Sequence, residues 1–325
     1  MRAAVRSLLL AALLGACPAA AEAELSVALA ASRSAVGADS AAVWAIAVDG
    51  APIAPLAIDV HSSGSVYGIA SGRRRLFIAR GVGEPGRYAG GEGSGPAGMA
   101  DGIFARSGLK VFTLDPWEAV VERFDLAGVR ELRFDLRARL SDAGEELGGV
   151  GGFCLGPSGM LYVLDDRRAR LLVFDDRGAF RRVLGEAAGV VLDSPVAIDI
   201  DGHGRLHLLE GRGPALVRVD VDSRATRRDL AAASGGGFRP RLLAVDAWGN
   251  AFLGERRSGR ILVVPVAGEP PWWLADGSQR GAIDDLAFDG AGNLLVVEAD
   301  PPRVRIVPLV YRPPIPDAGS AIRER

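Results

Sequence analysis

One phrase is written several times along this chain. "LGPSGMLYVLDDRRARLLVF" (155–174), "VDAWGNAFLGERRSGRILVV" (245–264) and "FDGAGNLLVVEADPPRVRIV" (288–307) share a turn glycine, a strand after it and a further apolar stretch. Aligned on Gly64, Gly159, Gly204, Gly249 and Gly292, successive copies lie about 45 residues apart, with a double gap between Gly64 and Gly159. That gap holds a degenerate copy, "IFARSGLKVFTLDPWEAVVERFD" (103–125), whose Gly108 is one residue out of register. Six copies of this period, built from short strands and turns, point to a solenoid or a propeller.

Each column of the alignment has a physical meaning. Four residues before the glycine stand Val60, Leu155, Ile200, Val245 and Phe288, and two residues earlier Ile58, Phe153, Ile198, Leu243 and Leu286. A period of two marks one face of a strand. A four-residue turn follows, opened by Asp201, Asp246 and Asp289 in three copies. Asp at the first turn position accepts bonds from nearby backbone N–H groups, and Gly at the fourth tolerates positive φ. A second strand carries a mostly aromatic column: Tyr67, Phe112, Tyr162, His207, Phe252 and Leu295. It ends on a mostly acidic column, and an Arg five residues on often opens a third strand. Asp165/Arg170, Glu255/Arg260 and Glu298/Arg303 recur at that one spacing, which predicts acid–Arg pairs across the turn. A more polar fourth strand follows, as in "AFRRVLGE".

A four-stranded antiparallel sheet with two apolar faces cannot bury both alone, whereas six around an axis can. The fold expected is therefore all-β, a six-bladed propeller over 55–312. The last copy ends at its third strand, near Tyr311. Its fourth strand is expected from the N-terminal segment 24–54, in "AVWAIAVDG" (42–50). Residues 313–325 are expected to be a disordered tail.

"PVAIDIDGHGRLHLLE" and its sister phrases resemble the NHL repeats of six-bladed propellers. The match is fullest at 155–174, where Tyr162, Val163, Asp165, Arg170 and Phe174 are in place. The resemblance covers about residues 55 to 310 and implies an architecture rather than an activity, because this fold hosts binders, scaffolds and several enzymes.

The N-terminus, "MRAAVRSLLLAALLGACPAAAEAE", has Arg2 and Arg6 before a short apolar run and ends in Ala21-Glu22-Ala23. This predicts an export signal over 1–23. The alternative is lipoprotein processing at Cys17 within Leu13–Cys17, which would leave a lipid anchor. No stretch is long and apolar enough to span a bilayer. The expected location is periplasmic or extracellular. With signal cleavage Cys154 has no partner, so burial is expected for it. A formal charge of −2 excludes a general attraction to nucleic acid.

The search for chemistry yields few candidates. An acid recurring in most blades is expected to brace a turn rather than catalyse. Five residues before the glycine stand Asp59, Cys154, Asp199, Ala244 and Ala287. Asp59 and Asp199 belong to the first and fourth blades, opposite each other in a ring of six, and are candidates to hold a polar ligand near the axis, with Cys154 beside them. "DIDGHGRLH" (199–207) suggests a cation loop on Asp199, Asp201 and His203, departing from the usual acidic series at His203. Some six-bladed lyases carry zinc on histidines, but the three histidines here occupy turn and aromatic columns. Gluconolactonase-type hydrolases hold a divalent cation on Glu, Asn and Asp. Here the two asparagines, Asn250 and Asn293, directly follow turn glycines, so that ligand set is not matched. Trp248, Trp272 and Trp273 are candidates for a protein interface. The expectation is a non-enzymatic binding or scaffold module for an envelope protein or small ligand, without a cofactor. The alternative is a metal-dependent hydrolase, lactonase or lyase using a divalent cation such as Ca²⁺ in the channel.

Overall fold

The computed structural model describes residues 33–72, 75–89, 100–106, 108–156, 158–220, 224–277 and 281–312. The segment 1–23 with Cys17, the glycine-rich stretch 90–98 and the tail 313–325 lie outside these residues.

The repeat glycines make the turns that the sequence requires. In the fourth copy Gly204 has φ +77° and its N–H donates to Asp201 O at 3.0 Å, while Asp201 Oδ1 accepts from His203 N and Arg205 N. Asp246 and Asp289 build the same turn around Gly249 and Gly292. Each turn reverses the chain into an antiparallel second strand, and the described residues form six blades of four strands.

Blades 2 to 5 are contiguous in sequence, from Gly102–Phe104 through Trp272–Ala275. Blade 1 runs from Pro55–Val60 to Gly86–Tyr88 and gains two short strands, Ala47–Val48 and Ala51–Pro52, at its outer edge. Blade 6 supplies Ile283–Phe288, Leu294–Ala299 and Pro302–Val307, and its fourth strand is Ala42–Trp44, paired antiparallel with Pro302–Val307. First and last segments therefore share one sheet, which ties the ring shut. A second tie lies beside it, where Ser34–Ala38 pairs with Leu309–Arg312.

The first strands of the six blades neighbour one another in ring order around the axis. Apolar faces interdigitate between blades, as where Phe134, Phe153, Phe174 and Ile198 join one core spanning blades 2 to 4. Trp272 and Trp273 show the strand alternation directly: Trp272 packs into the core shared with blade 6 and Trp273 into that shared with blade 4. Among the described residues no helix is long and apolar enough to cross a membrane.

The acidic column braces the other end of the blades that carry it; blade 1 has Ala70 at this position. Arg170 Nε meets Asp165 Oδ2 at 3.1 Å, Arg260 meets Glu255 at 2.7 Å, and Arg303 pairs with Glu298. Acids of this column also accept N–H groups of the segment entering their own blade: Gly148 and Gly149 on Asp165, Asp193 on Glu210, Arg239 on Glu255. One carboxylate thus satisfies backbone donors that the sheet leaves unpaired.

Candidate functional site in the central channel

Asp59 and Asp199 leave the first strands of blades 1 and 4 on the face turned to the next blade, close to the axis. Both are buried. Each does the same job in its own blade. Asp59 accepts from Val60 N at 3.0 Å and from Ala105 N of blade 2 at 2.7 Å. Asp199 accepts from Ile200 N at 2.8 Å and from Val245 N of blade 5 at 2.7 Å. Each carboxylate therefore clamps the inner edge of its own blade to that of the next.

What joins them is Arg106. Its Nε is 3.2 Å from Asp59 Oδ1, its Nη1 is 2.8 Å from Asp199 Oδ1, and Nη1 also donates to Ile200 O. One guanidinium crosses the channel from blade 2 and bridges the two opposed acids, its Cζ 5.6 Å from the centre of the Phe104 ring. Burial pushes the Asp59 carboxyl up; Arg106 and the two N–H donors oppose that shift. The guanidinium is held charged, because the two carboxylates outweigh its own burial. Two buried carboxylates around one cation retain a net negative charge, which the clamped N–H dipoles offset.

Cys154 lies on the same column and is fully buried. Burial, then the charge of Asp199, push its thiol well above the ordinary range, so it is held as an unreactive thiol. Asp285 of blade 6 makes a third clamp, accepting Ile58 N of blade 1 at 2.9 Å. Unlike Asp59 and Asp199 it is partly open to solvent and makes no ion pair among the described residues; burial raises its pKa to about 7, against the backbone donors and the charge of Arg256. It is the channel acid whose proton is available near neutrality.

The loop Asp199, Asp201, His203 is not brought together as a cation site. Asp199 is spent on Arg106 and the blade clamp. Asp201 Oδ2 meets Arg205 Nε at 2.6 Å and His207 Nε2 at 3.0 Å, and its other oxygen closes the turn. Arg205, the His207 ring and two backbone N–H groups fill the lone pairs that a metal would need. Among the described residues no group of three or more His, Cys, Asp or Glu could hold a metal ion. Asn250 and Asn293 serve their turn aspartates at 2.7 and 2.8 Å, so the cation set of gluconolactonase-type enzymes does not fit here.

The tryptophans are engaged within the chain. Trp248 stacks on Tyr311 with 4.6 Å between ring centres, Trp272 Nε1 donates to Ala35 O, and Trp273 meets the Phe238 ring edge-on. The aromatic left open is Trp117, 73% exposed at a turn of the degenerate copy.

Two residues of the channel were missed from the sequence, Arg106 and Asp285. A signal for the first existed. Aligning the degenerate copy on Phe112, the aromatic column, rather than on Gly108 puts Arg106 where the sister copies carry the turn Asp. A cation in an acidic column was the anomaly to pursue.

No family model matches the chain, and no curated protein matches it in sequence. Solved structures do match its fold. A virginiamycin B lyase from Staphylococcus aureus is 12% identical with a TM-score of 0.55, covering 79% of this chain and 96% of that one. A gluconolactonase of Xanthomonas campestris is 13% identical with a TM-score of 0.58, covering 86% and 95%. YCF48, solved bound to a D1 peptide, is 11% identical with a TM-score of 0.51, covering 77% of each chain. At these identities the likeness is one of fold: the chain is a six-bladed β-propeller.

Proposed function

We propose that this protein is an exported, NHL-like propeller that acts as a non-enzymatic binding or scaffold module in the bacterial envelope, presenting its rigid ring to a protein or small ligand. Export follows cleavage after Ala23 or, alternatively, lipid attachment at Cys17. The observation that carries the reading is the Asp59–Arg106–Asp199 bridge. It commits the two opposed carboxylates of the channel to a guanidinium and to backbone donors, three bonds to each, and neutralises much of the charge that would attract a metal. A ring closed by two strand pairings suits a platform, and a fold neighbour that holds a peptide supports the same use.

Elemental analysis of the purified mature protein, with melts in the presence and absence of EDTA and a lactone-hydrolysis assay, tests this. The expected result is an unchanged melt and no turnover. One metal per chain, a melt lowered by EDTA and metal-dependent turnover would overturn it. The second reading, a hydrolase, lactonase or lyase working in the channel, draws on Asp285, whose pKa of about 7 suits proton transfer. Turnover abolished by Asp285→Asn would establish it.

A further inference from the structure

Blade 4 carries a polar row on the face turned to blade 5. Asp199, His207, Arg218 and Thr226 are directly opposed on successive strands, and opposed residues share a face. In blade 3 the same row reads Cys154, Tyr162, Val173, Arg182, and in blade 5 it reads Ala244, Phe252, Val263, Trp272. Neither places a His and an Arg side by side.

Against this row lies a half-open cleft of about 290 Å³, closed on its far side by Val264 and Val266 of blade 5. At its buried end is His207, 2% exposed. Its Nε2 faces Asp201, but its Nδ1 has no hydrogen-bond partner among the described residues. A buried ring nitrogen left unpaired is costly, and native structures keep few of them without reason. Arg228, on the same face, donates to Pro265 O at 3.1 Å and Glu269 O at 2.6 Å and forms no ion pair among the described residues. Arg218 Nε lies 3.3 Å from Asp220 Oδ1 without making a hydrogen bond to it. Arg227, also at the rim, is paired with Glu210. The cleft therefore holds more positive than negative charge, an open hydroxyl at Thr226 and an unused imidazole nitrogen.

We infer that this cleft binds a compact oxyanion, a carboxylate or phosphate group held between Arg218 and Arg228, with the Thr226 hydroxyl donating to it and the His207 Nδ1 lone pair, left free because Nε2 donates to Asp201, accepting from the P–OH of a phosphate. Two guanidiniums favour an anion and disfavour a metal ion or an amine. The cleft has room for a small organic anion, since water takes about 30 Å³ in the liquid. The apolar wall of Leu216, Val264 and Val266 would take the carbon portion. The site is separate from the channel and stands whether or not the channel binds anything.

Titration calorimetry of the full mature chain with inorganic phosphate, and separately with acetate, tests the inference and identifies the anion. The expected result is saturable one-site binding of at least one probe, weakened about tenfold or more by Arg218→Gln. Arg228→Gln should act likewise, but it also removes a tie to blade 5. Arg218→Gln, checked for an unchanged melt, is therefore the deciding variant. In long-range ¹H–¹⁵N spectra the His207 Nδ1 resonance, identified by its loss in His207→Gln, should move along the same titration curve. Absence of saturable binding by both probes, equal affinity in Arg218→Gln, or a stationary His207 resonance would each overturn the assignment.

Discussion

Blades 4 and 5 spell the same turn and fold it the same way, yet their aspartates end far apart in acidity. Asp201 Oδ1 accepts from His203 N and Arg205 N; Asp246 Oδ1 accepts from Trp248 N, Gly249 N and Asn250 N. The difference lies on the other oxygen. Asp201 Oδ2 meets Arg205 and His207, whereas Asp246 Oδ2 meets the neutral amide of Asn250. Burial raises both acids. For Asp201 the His207 bond and Arg205 outweigh it and bring the pKa down to about 2, while Asp246 keeps the upward shift to about 6. The channel repeats the contrast, with Asp59 and Asp199 paired to Arg106 and Asp285 in no ion pair among the described residues. The repeat dictates the backbone, and the residues four and six places after the turn Asp dictate the electrostatics.

The largest test removes the neutral partner. Asn250 accepts Ala35 N and Val266 N and donates to Arg33 O and Asp246. Asn250→Ala strands buried groups on two sides and cuts the tie to the N-terminal segment. A loss of about 4 kcal/mol in urea unfolding at pH 7 is expected; a loss under 1 kcal/mol would mean that water replaces these bonds freely. Next is Arg106→Met, which leaves Asp59 and Asp199 facing each other without a cation. The expected cost is about 3 kcal/mol at pH 7. It should shrink at acid pH, as Asp59, already pushed upward by burial, takes a proton.

Asp285→Asn tests the acid outside any ion pair of the described residues, and its sign is opposite. A carboxyl whose folded pKa of about 7 exceeds its unfolded value contributes stability below pH 4 that is lost as pH rises toward 7. Asn keeps an acceptor for Ile58 N without that loss. The variant should therefore be the more stable protein at pH 8, by about 2 kcal/mol. That is half of what the full shift gives at about 1.4 kcal/mol per unit, because the carboxyl is partly open to solvent. The two proteins should converge near pH 4, and parallel stability curves from pH 4 to 8 would refute the assignment.

The architecture was legible because its cause is periodic. The two-residue alternation, the turn glycines and the acid–Arg spacing recur, so each copy corroborates the others. The channel was legible only in part, because it is made where copies differ. Asp59 and Asp199 stood out as acids in a column of small residues, and opposition across a ring of six placed them together. Arg106 hid in the copy whose glycine is displaced. Asp285 faces the channel only because the register shifts between Ile283 and Asp285, a local irregularity that hydrophobic patterning does not encode. The contacts of the tryptophans were hidden for a related reason. Ala35 and Tyr311, which cover Trp272 and Trp248, come from the terminal ribbon, distant in sequence from both.

The smallest effect cuts most sharply between the two turns. Arg205→Met keeps the Asp201 turn and its His207 bond and removes one of the two side-chain partners of Asp201 Oδ2, moving blade 4 toward the state of blade 5. Arg205 is about one-fifth exposed and Asp201 fully buried, so the pair lies between a surface bridge and a core one, and a cost of about 1 kcal/mol at pH 7 is expected. The pH dependence identifies the cause. An acid whose folded pKa is lowered contributes stability above its unfolded pKa, near 4, and loses it as pH falls through about 2. The variant loses part of that contribution, so the gap between variant and wild type should be full at pH 7, narrow between pH 4 and 2, and close below. A gap independent of pH would assign the loss to the packing of the Arg205 side chain, or to its bond to Trp248 O, and the divergence of the two turns would then rest on His207 alone.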